Sequence, residues 1–211
     1  MGTFAGNTLI TELARRLRDT TNVAYPRATV LNIINRVQDA MNVRLGLVYG
    51  QTTFNTGNQA LYSTSAIASD YAYPVQMFDA NQRELDMISF DRLTQQDEEW
   101  VRRFGNRPEV YAPIGRELLA VTPIPVVAMT LTMRYVKHPT ALADAGAPLW
   151  DLPDEHKPLL LDLSEALLSL RSRDYIAIQE AVNRAAPKLG LEDAAQVLRK
   201  GTVGDRLKVK T

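Results

Sequence analysis

Apolar residues recur at helical spacing near the start of the chain. Leu9, Leu13 and Leu17 repeat every four residues, with Arg15, Arg16 and Arg18 largely off that stripe. This predicts a short amphipathic helix capped by Asn7 or Thr8. A second helix is predicted from about Arg27 to Leu45, with Val30, Ile34, Val37 and Met41 on one face and Gly46 as its stop. Tyr25 and Pro26 lie in the connection, so the two helices are expected to form a hairpin in which each covers the other's apolar stripe.

From Tyr49 to Val136 the pattern shortens to segments rich in Thr, Tyr and Val, broken by turn residues at Thr56, Gly57 and Asn58 and again at Thr122, Pro123, Ile124 and Pro125. Antiparallel sheet is predicted. Its clearest strand is 129–135, where Met129, Leu131, Met133 and Tyr135 alternate with Thr130, Thr132 and Arg134. Residues 118–121 are the expected hairpin partner. Residues 91–100 read as one short acidic helix, capped by Asp91, with Leu93 and Trp100 turned inward.

After a Pro-, Ala- and Gly-bearing connector over 139–153, helix resumes with Asp151 or Asp154 as cap and Pro158 in the first turn. Over 159–170, Leu159, Leu160, Leu161, Leu163, Leu167, Leu168 and Leu170 cover an arc of roughly 200° at helical pitch, leaving a polar strip of Asp162, Glu165 and Ser169. Such a helix is either the centre of its domain or packed by its second face on a neighbouring subunit. A last helix is expected from near Asp174 through Ile178, Val182 and Ala185, with Pro187 interrupting it before 191–199.

The fold class is therefore α+β: a helical bundle, made of the N-terminal hairpin and long C-terminal helices, with an inserted antiparallel β domain. The boundaries read as a discontinuous helical domain over 1–48 and 150–200, a β domain over 49–149 and an extended tail over 201–211.

Composition narrows the chemistry. The 211 residues include no cysteine, which removes disulfides, thiolate metal sites and a cysteine nucleophile. Lys and Arg number 24 and Asp and Glu 24, so overall charge calls for neither nucleic acid nor an anionic membrane. No apolar run approaches bilayer length, and the opening residues carry no secretory pattern, so synthesis in the cytoplasm and no membrane contact are expected. His138 and His156 each adjoin a lysine and lack a second ligand at helical spacing, which speaks against zinc. Neighbouring carboxylates such as Asp97, Glu98 and Glu99 diverge on a helix and suit a solvated face. No nucleophile elbow, phosphate loop or dinucleotide fingerprint occurs, so neither an enzyme nor a cofactor is expected. The first two helices have the rhythm of a helix-turn-helix DNA reader. However, their connection is longer than that motif uses, and the second helix spreads Arg27, Arg36 and Arg44 among neutral and acidic residues.

The order of motifs from Pro108 onward resembles a known family. Pro108, Tyr111 and Ala112 are followed by Gly115 to Leu118, Pro123 and Pro125, Leu131 with Arg134, Tyr135 and Val136, Pro139 and Leu142, and Leu152 with Pro153. Together with the leading helices around Tyr25 and Pro26 and the leucine-rich helix, this resembles the head-to-tail adaptor (connector) proteins of tailed bacteriophages. The resemblance implies a virion protein of the neck, a homo-oligomeric ring typically of twelve subunits. Such a ring joins the portal to tail or nozzle proteins and lets double-stranded DNA pass through its channel without capture. A different neck or tail protein, such as a tube-terminating subunit, would share the same mixture of elements.

Three sets of contact residues are expected on this reading. Leu160, Leu161, Leu167 and Leu168 pack between subunits. Asn55, Thr56, Gly57 and Asn58, with Pro123, Ile124 and Pro125, sit at hairpin tips facing tail components and outside the core. Arg206, Leu207, Lys208, Val209 and Lys210 alternate cation and apolar residue at strand spacing, and are expected to order against the portal or a neighbouring subunit.

Overall fold

The computed structural model describes residues 3–172, 175–185 and 187. They divide into two compact units, one of Met1–Met41 with Thr140–Thr211, the other of Asn42–Pro139. The class is mixed α+β, with six α-helices among the described residues and mainly antiparallel sheets.

The first unit is helical. Helix α1 (Gly6–Arg16) buries Leu9, Ile10, Leu13 and Ala14. Its cap position is Ala5, whose side chain caps nothing, so the expected role of Asn7 or Thr8 is corrected. A glycine is needed at position 6 because a Cβ there would strike the carbonyl of Ala143, against which the backbone lies. Helix α2 (Arg27–Leu45) has the predicted bounds and buries the predicted stripe Val30, Ile34, Val37 and Met41. The hairpin reading needs revision: α1 makes its most extensive helix contacts with α5 (Lys157–Ser172), which also packs closely on α6 (Tyr175–Ala185).

Between α1 and α2 the chain turns through Arg18 and Asn22, both at positive φ. The Asp19 carboxylate holds this turn by accepting from the N–H groups of Val23 (2.9 Å) and Tyr25 (2.7 Å). The connector after Thr140 is tied to α2 by side chains. Asn35 donates to the Leu142 carbonyl and accepts from the Leu142 N–H, and Gln38 donates to the Thr140 carbonyl. Asp151 and Asp154 are not helix caps. Asp151 accepts from the Thr140 N–H, and Asp154 accepts from the Thr3 N–H, the Thr3 hydroxyl and the Trp150 indole.

In the second unit, Asn42 closes the first turn after α2. Its Oδ1 accepts from the N–H groups of Leu47 and Val48, while Gly46 takes the left-handed conformation at φ +61 that a helix stop favours. Three strands form one sheet in the order β1 (Tyr49–Asn55), β9 (Thr130–Lys137), β3 (Tyr71–Phe78). Four form another in the order β2 (Leu61–Ser63), β7 (Leu118–Thr122), β6 (Val110–Ile114), β4 (Asp86–Met87). Residues 118–121 therefore pair with β6 and β2, and the expected partnership with the 129–135 strand is overturned: β9 lies between β1 and β3.

The physical reason is that β7 is buried on both faces. Leu119 and Val121 join Tyr111, Met77, Leu131, Met133 and Tyr135 in one core shared by the two sheets. Ala112 and Ala120 face the other way, into a second core with Leu93, Trp100 and Ile124. A strand buried twice shows no alternation, so its sequence does not reveal its partner. The acidic helix over 91–100 is also two pieces: α4 (Phe90–Gln96), capped by Ser89 instead of Asp91, and a 3-10 turn at Trp100–Arg102. Leu93 and Trp100 are buried as predicted. The small polar stretch after Ser63 coils into the single turn α3 (Thr64–Ile67).

Candidate assembly surfaces

Helix α5 organises the first unit by turning its polar strip inward. Asp162 is buried and accepts from Arg16 of α1 at 2.9 Å; Arg184 of α6 lies 3.6 Å from the same oxygen and 2.9 Å from Glu165. Ser164 and Ser169 are buried on the same helix. Two arginines thus recruit the carboxylates, and the cost of burying Asp162 is offset by paired charge. The leucines follow from this choice. Leu159, Leu160, Leu161 and Leu168 are enclosed within the unit, whereas Leu167 and Leu170 are 42% and 51% exposed, with Leu163 half-buried at the preceding turn. Of the residues expected between subunits, only Leu167 is thus placed at the surface. Ile176 on α6 is exposed as well.

The second unit ends in two loops drawn together beyond the β1–β9 ladder, where Asn55 pairs with Thr130. The Thr56 hydroxyl accepts from the Met129 N–H at 2.9 Å and lies 3.1 Å from the Met129 carbonyl, so Thr56 is buried and ties the loops, while Asn55, Gly57 and Asn58 are exposed. The Pro123, Ile124 and Pro125 segment is not a hairpin tip. It forms strand β8 (Ile124–Pro125), paired in parallel with β5 (Phe104–Gly105), and Ile124 is 3% exposed inside the second core. Its placement outside the core is therefore corrected. The exposed apolar residues follow it: Val126 and Val127 are 62% and 72% exposed. In the sequence, the signal for this exposed tip is the pair of valines directly after the Pro-x-Pro segment.

Arg206, Leu207, Lys208, Val209 and Lys210 lie outside the described residues.

The remaining polar features are structural. An open groove of about 740 Å³ beside α1 is lined by Asn7, Thr11, Glu12, Arg15, Asn22 and Arg27 among others. Its carboxylate, Glu12, is committed to Lys157 at 2.6 Å, and that ammonium also sits 3.9 Å over the Phe4 ring. Burial pushes the hydroxyls of Tyr111 and Tyr135 up to about 12, in the second case with help from the hydrogen bond to Asp70. Both hydroxyls therefore stay neutral at ordinary pH. Among the described residues no group of three or more His, Cys, Asp or Glu is placed to hold a metal ion, and no helix is long and apolar enough to cross a membrane.

Three aspartates of the first unit have carboxyls held below the ordinary 3.8. Burial acts to raise Asp19, but the N–H groups of Tyr25, Val23 and Ala24 outweigh it. The Arg27 hydrogen bond lowers Asp144, against a smaller desolvation effect. The Thr3 N–H and then the Trp150 indole lower Asp154, again against burial. A carboxyl depressed in the folded state stabilises the fold above its unfolded pKa and loses that contribution as pH falls through the folded value. Acidification below pH 3.8 is therefore expected to loosen the 19–25 turn and the Thr3 attachment. Carboxyl titration by NMR checks this: midpoints at or above 3.8 for these three residues would contradict it.

The two packed units thus use polar groups to tie loops and leave apolar side chains exposed at a helix face and a loop tip. The family model described as SU10 adaptor protein matches residues 7–204, and the chain belongs to that family. It is thus a phage adaptor-type structural protein and a virion component, in a family that is not one of enzymes. No curated protein matches the chain.

Proposed function

We propose that this adaptor assembles as a homo-oligomeric ring between the portal and the tail, continuing the channel through which double-stranded DNA passes. The observation that carries this reading is the orientation of α5, which buries a carboxylate and leaves Leu167 and Leu170 in solvent. Exposed leucines on a helix that turns its polar strip inward support this reading, because they suit a face that another protein covers. A ring of twelve and a head-to-tail position come from the resemblance to connector proteins and are part of the proposal. In this reading the loop end carrying Asn55, Gly57, Asn58, Val126 and Val127 meets tail components, while the segment 206–210 reaches the portal or a neighbouring subunit. Charge balance, with 24 acidic and 24 basic residues, suits a channel that lets DNA move without adhering.

Co-sedimentation of the purified chain with portal rings of the same virion tests this. Stoichiometric decoration of the rings is expected. A chain that stays monomeric and leaves the portal bare would overturn it.

A further inference from the structure

The two edges of the β1–β9–β3 sheet are treated differently. An exposed strand edge is a template for unwanted pairing, and proteins blunt it with proline, charge or bulges. Strand β3 has such devices: Pro74 stands within it, and its register against β9 shifts between Tyr71 and Tyr73 and again between Pro74 and Gln76. Strand β1, on the other edge, has none. Its seven residues, Tyr-Gly-Gln-Thr-Thr-Phe-Asn, include no proline and no charge, and they pair with β9 in unbroken register.

The register fixes which groups remain open. Val48 accepts from Lys137 and Thr56 donates to Met129, so with the printed pairing it is Gly50, Thr52 and Phe54 that exchange bonds with β9. The N–H and C=O groups of Tyr49, Gln51, Thr53 and Asn55 point away from β9. Among the described residues none of them has a backbone partner, and all four side chains are exposed. On the inner face of the same edge, Phe54 and Ile67 are only partly covered where they pack on the core.

We propose that this edge of β1 receives residues 203–210 of a neighbouring copy as an added strand. The proposal rests on the ring reading above. The alternation is clean over 206–210, where Leu207 and Val209 fall on one face and Arg206, Lys208 and Lys210 on the other; Val203 shares the apolar face, and Asp205 lies on it near the segment's start, where it reaches the rim of the edge. Laid beside β1, the apolar set extends the inner face over Phe54 and Ile67, the cations stay in water beside Gln51 and Thr53, and the open backbone groups of β1 gain partners. Fifteen residues lie between Pro187, the last described, and Val203, and a chain of that length can span at most about 50 Å.

The chain has no cysteine, so engineered thiols report cleanly. Thr53→Cys and Lys208→Cys, placed in separate full-length chains and co-assembled on the portal, are expected to form an intermolecular disulfide in high yield under mild oxidation. Thr53→Pro removes an outward N–H and no bond to β9, so it is expected to keep the thermal unfolding midpoint within a few degrees while lowering assembly at least tenfold. Truncation after Lys200 should give the same loss. Absence of the cross-link in assembled rings, a disulfide confined to a doubly substituted single chain, or a Lys208→Cys chain that cross-links only to portal would each overturn the proposal. So would normal assembly of both the truncated chain and Thr53→Pro. That last result leaves the ring itself standing, whereas failure of the unaltered chain to assemble on portal would remove the ring reading and this proposal with it.

Discussion

Replacing Leu167 and Leu170 together by aspartate is expected to leave the first unit folded and to abolish assembly. Both side chains are substantially exposed on α5, and their replacement leaves the Asp162 and Glu165 pairs with Arg16 and Arg184 untouched. Surface substitutions of this kind shift stability by about 0.5 kcal/mol each. In an interface the same carboxylates would be stripped of water without a partner, at about 3 kcal/mol or more, which is two orders of magnitude in association. The outcome differs from what the sequence alone suggests, since on a helix apolar over most of its circumference an aspartate at Leu167 is expected to impair folding as well as assembly. Thermal unfolding followed by circular dichroism, with light scattering on the same samples, separates the two. Loss of the folded state would return Leu167 to the core, and unimpaired assembly would free this face of any role.

Ile124→Ala is expected to cost about 3 kcal/mol of stability, as deletions from close-packed cores do. Ile124 is 3% exposed and packs in the core with Leu93, Trp100, Ala112 and Ala120. Val126→Asp with Val127→Asp, only a few residues on, should change stability by no more than about 1 kcal/mol while preventing attachment of tail components. Denaturant unfolding paired with a tail-attachment assay checks the contrast. A stable Ile124→Ala that fails to attach, or an unstable double valine variant, would reverse the assignment of core and contact.

Much of the helical architecture was legible because helical periodicity is local. Val30, Ile34, Val37 and Met41 announce both the existence and the buried face of α2, and Gly46 its end. The alternation in 129–135 likewise identified β9 from one covered face. What failed were properties set by tertiary partners. Leu118, Leu119, Ala120 and Val121 form a continuous apolar run because β7 lies between two cores, so the run names no partner. On α5 the leucine count left open whether the helix is central or turns a second face to a neighbour, and it does not say which way the helix turns; that depends on Arg16 and Arg184, from helices distant in sequence. Helix capping is hidden from the sequence for a related reason. Asp154 has the right chemistry for a helix start, and its oxygens are instead taken by Thr3 and Trp150.

Among the proposed contact surfaces, the exposed tip at Asn55, Gly57 and Asn58 followed from turn chemistry. The sequence does not place Ile124, because a Pro-x-Pro segment suits a short strand as well as a turn. The open edge of β1 was invisible in the sequence, since an edge is defined only once the order of strands is known.

The ring itself is tested most directly by imaging the purified chain mixed with portal rings and averaging the particles along their symmetry axis. A closed ring of added density coaxial with the portal, repeating with the same rotational order and leaving a central channel open, is the expected result. Portal particles without added density, or density bound as scattered monomers with no common axis, would contradict it.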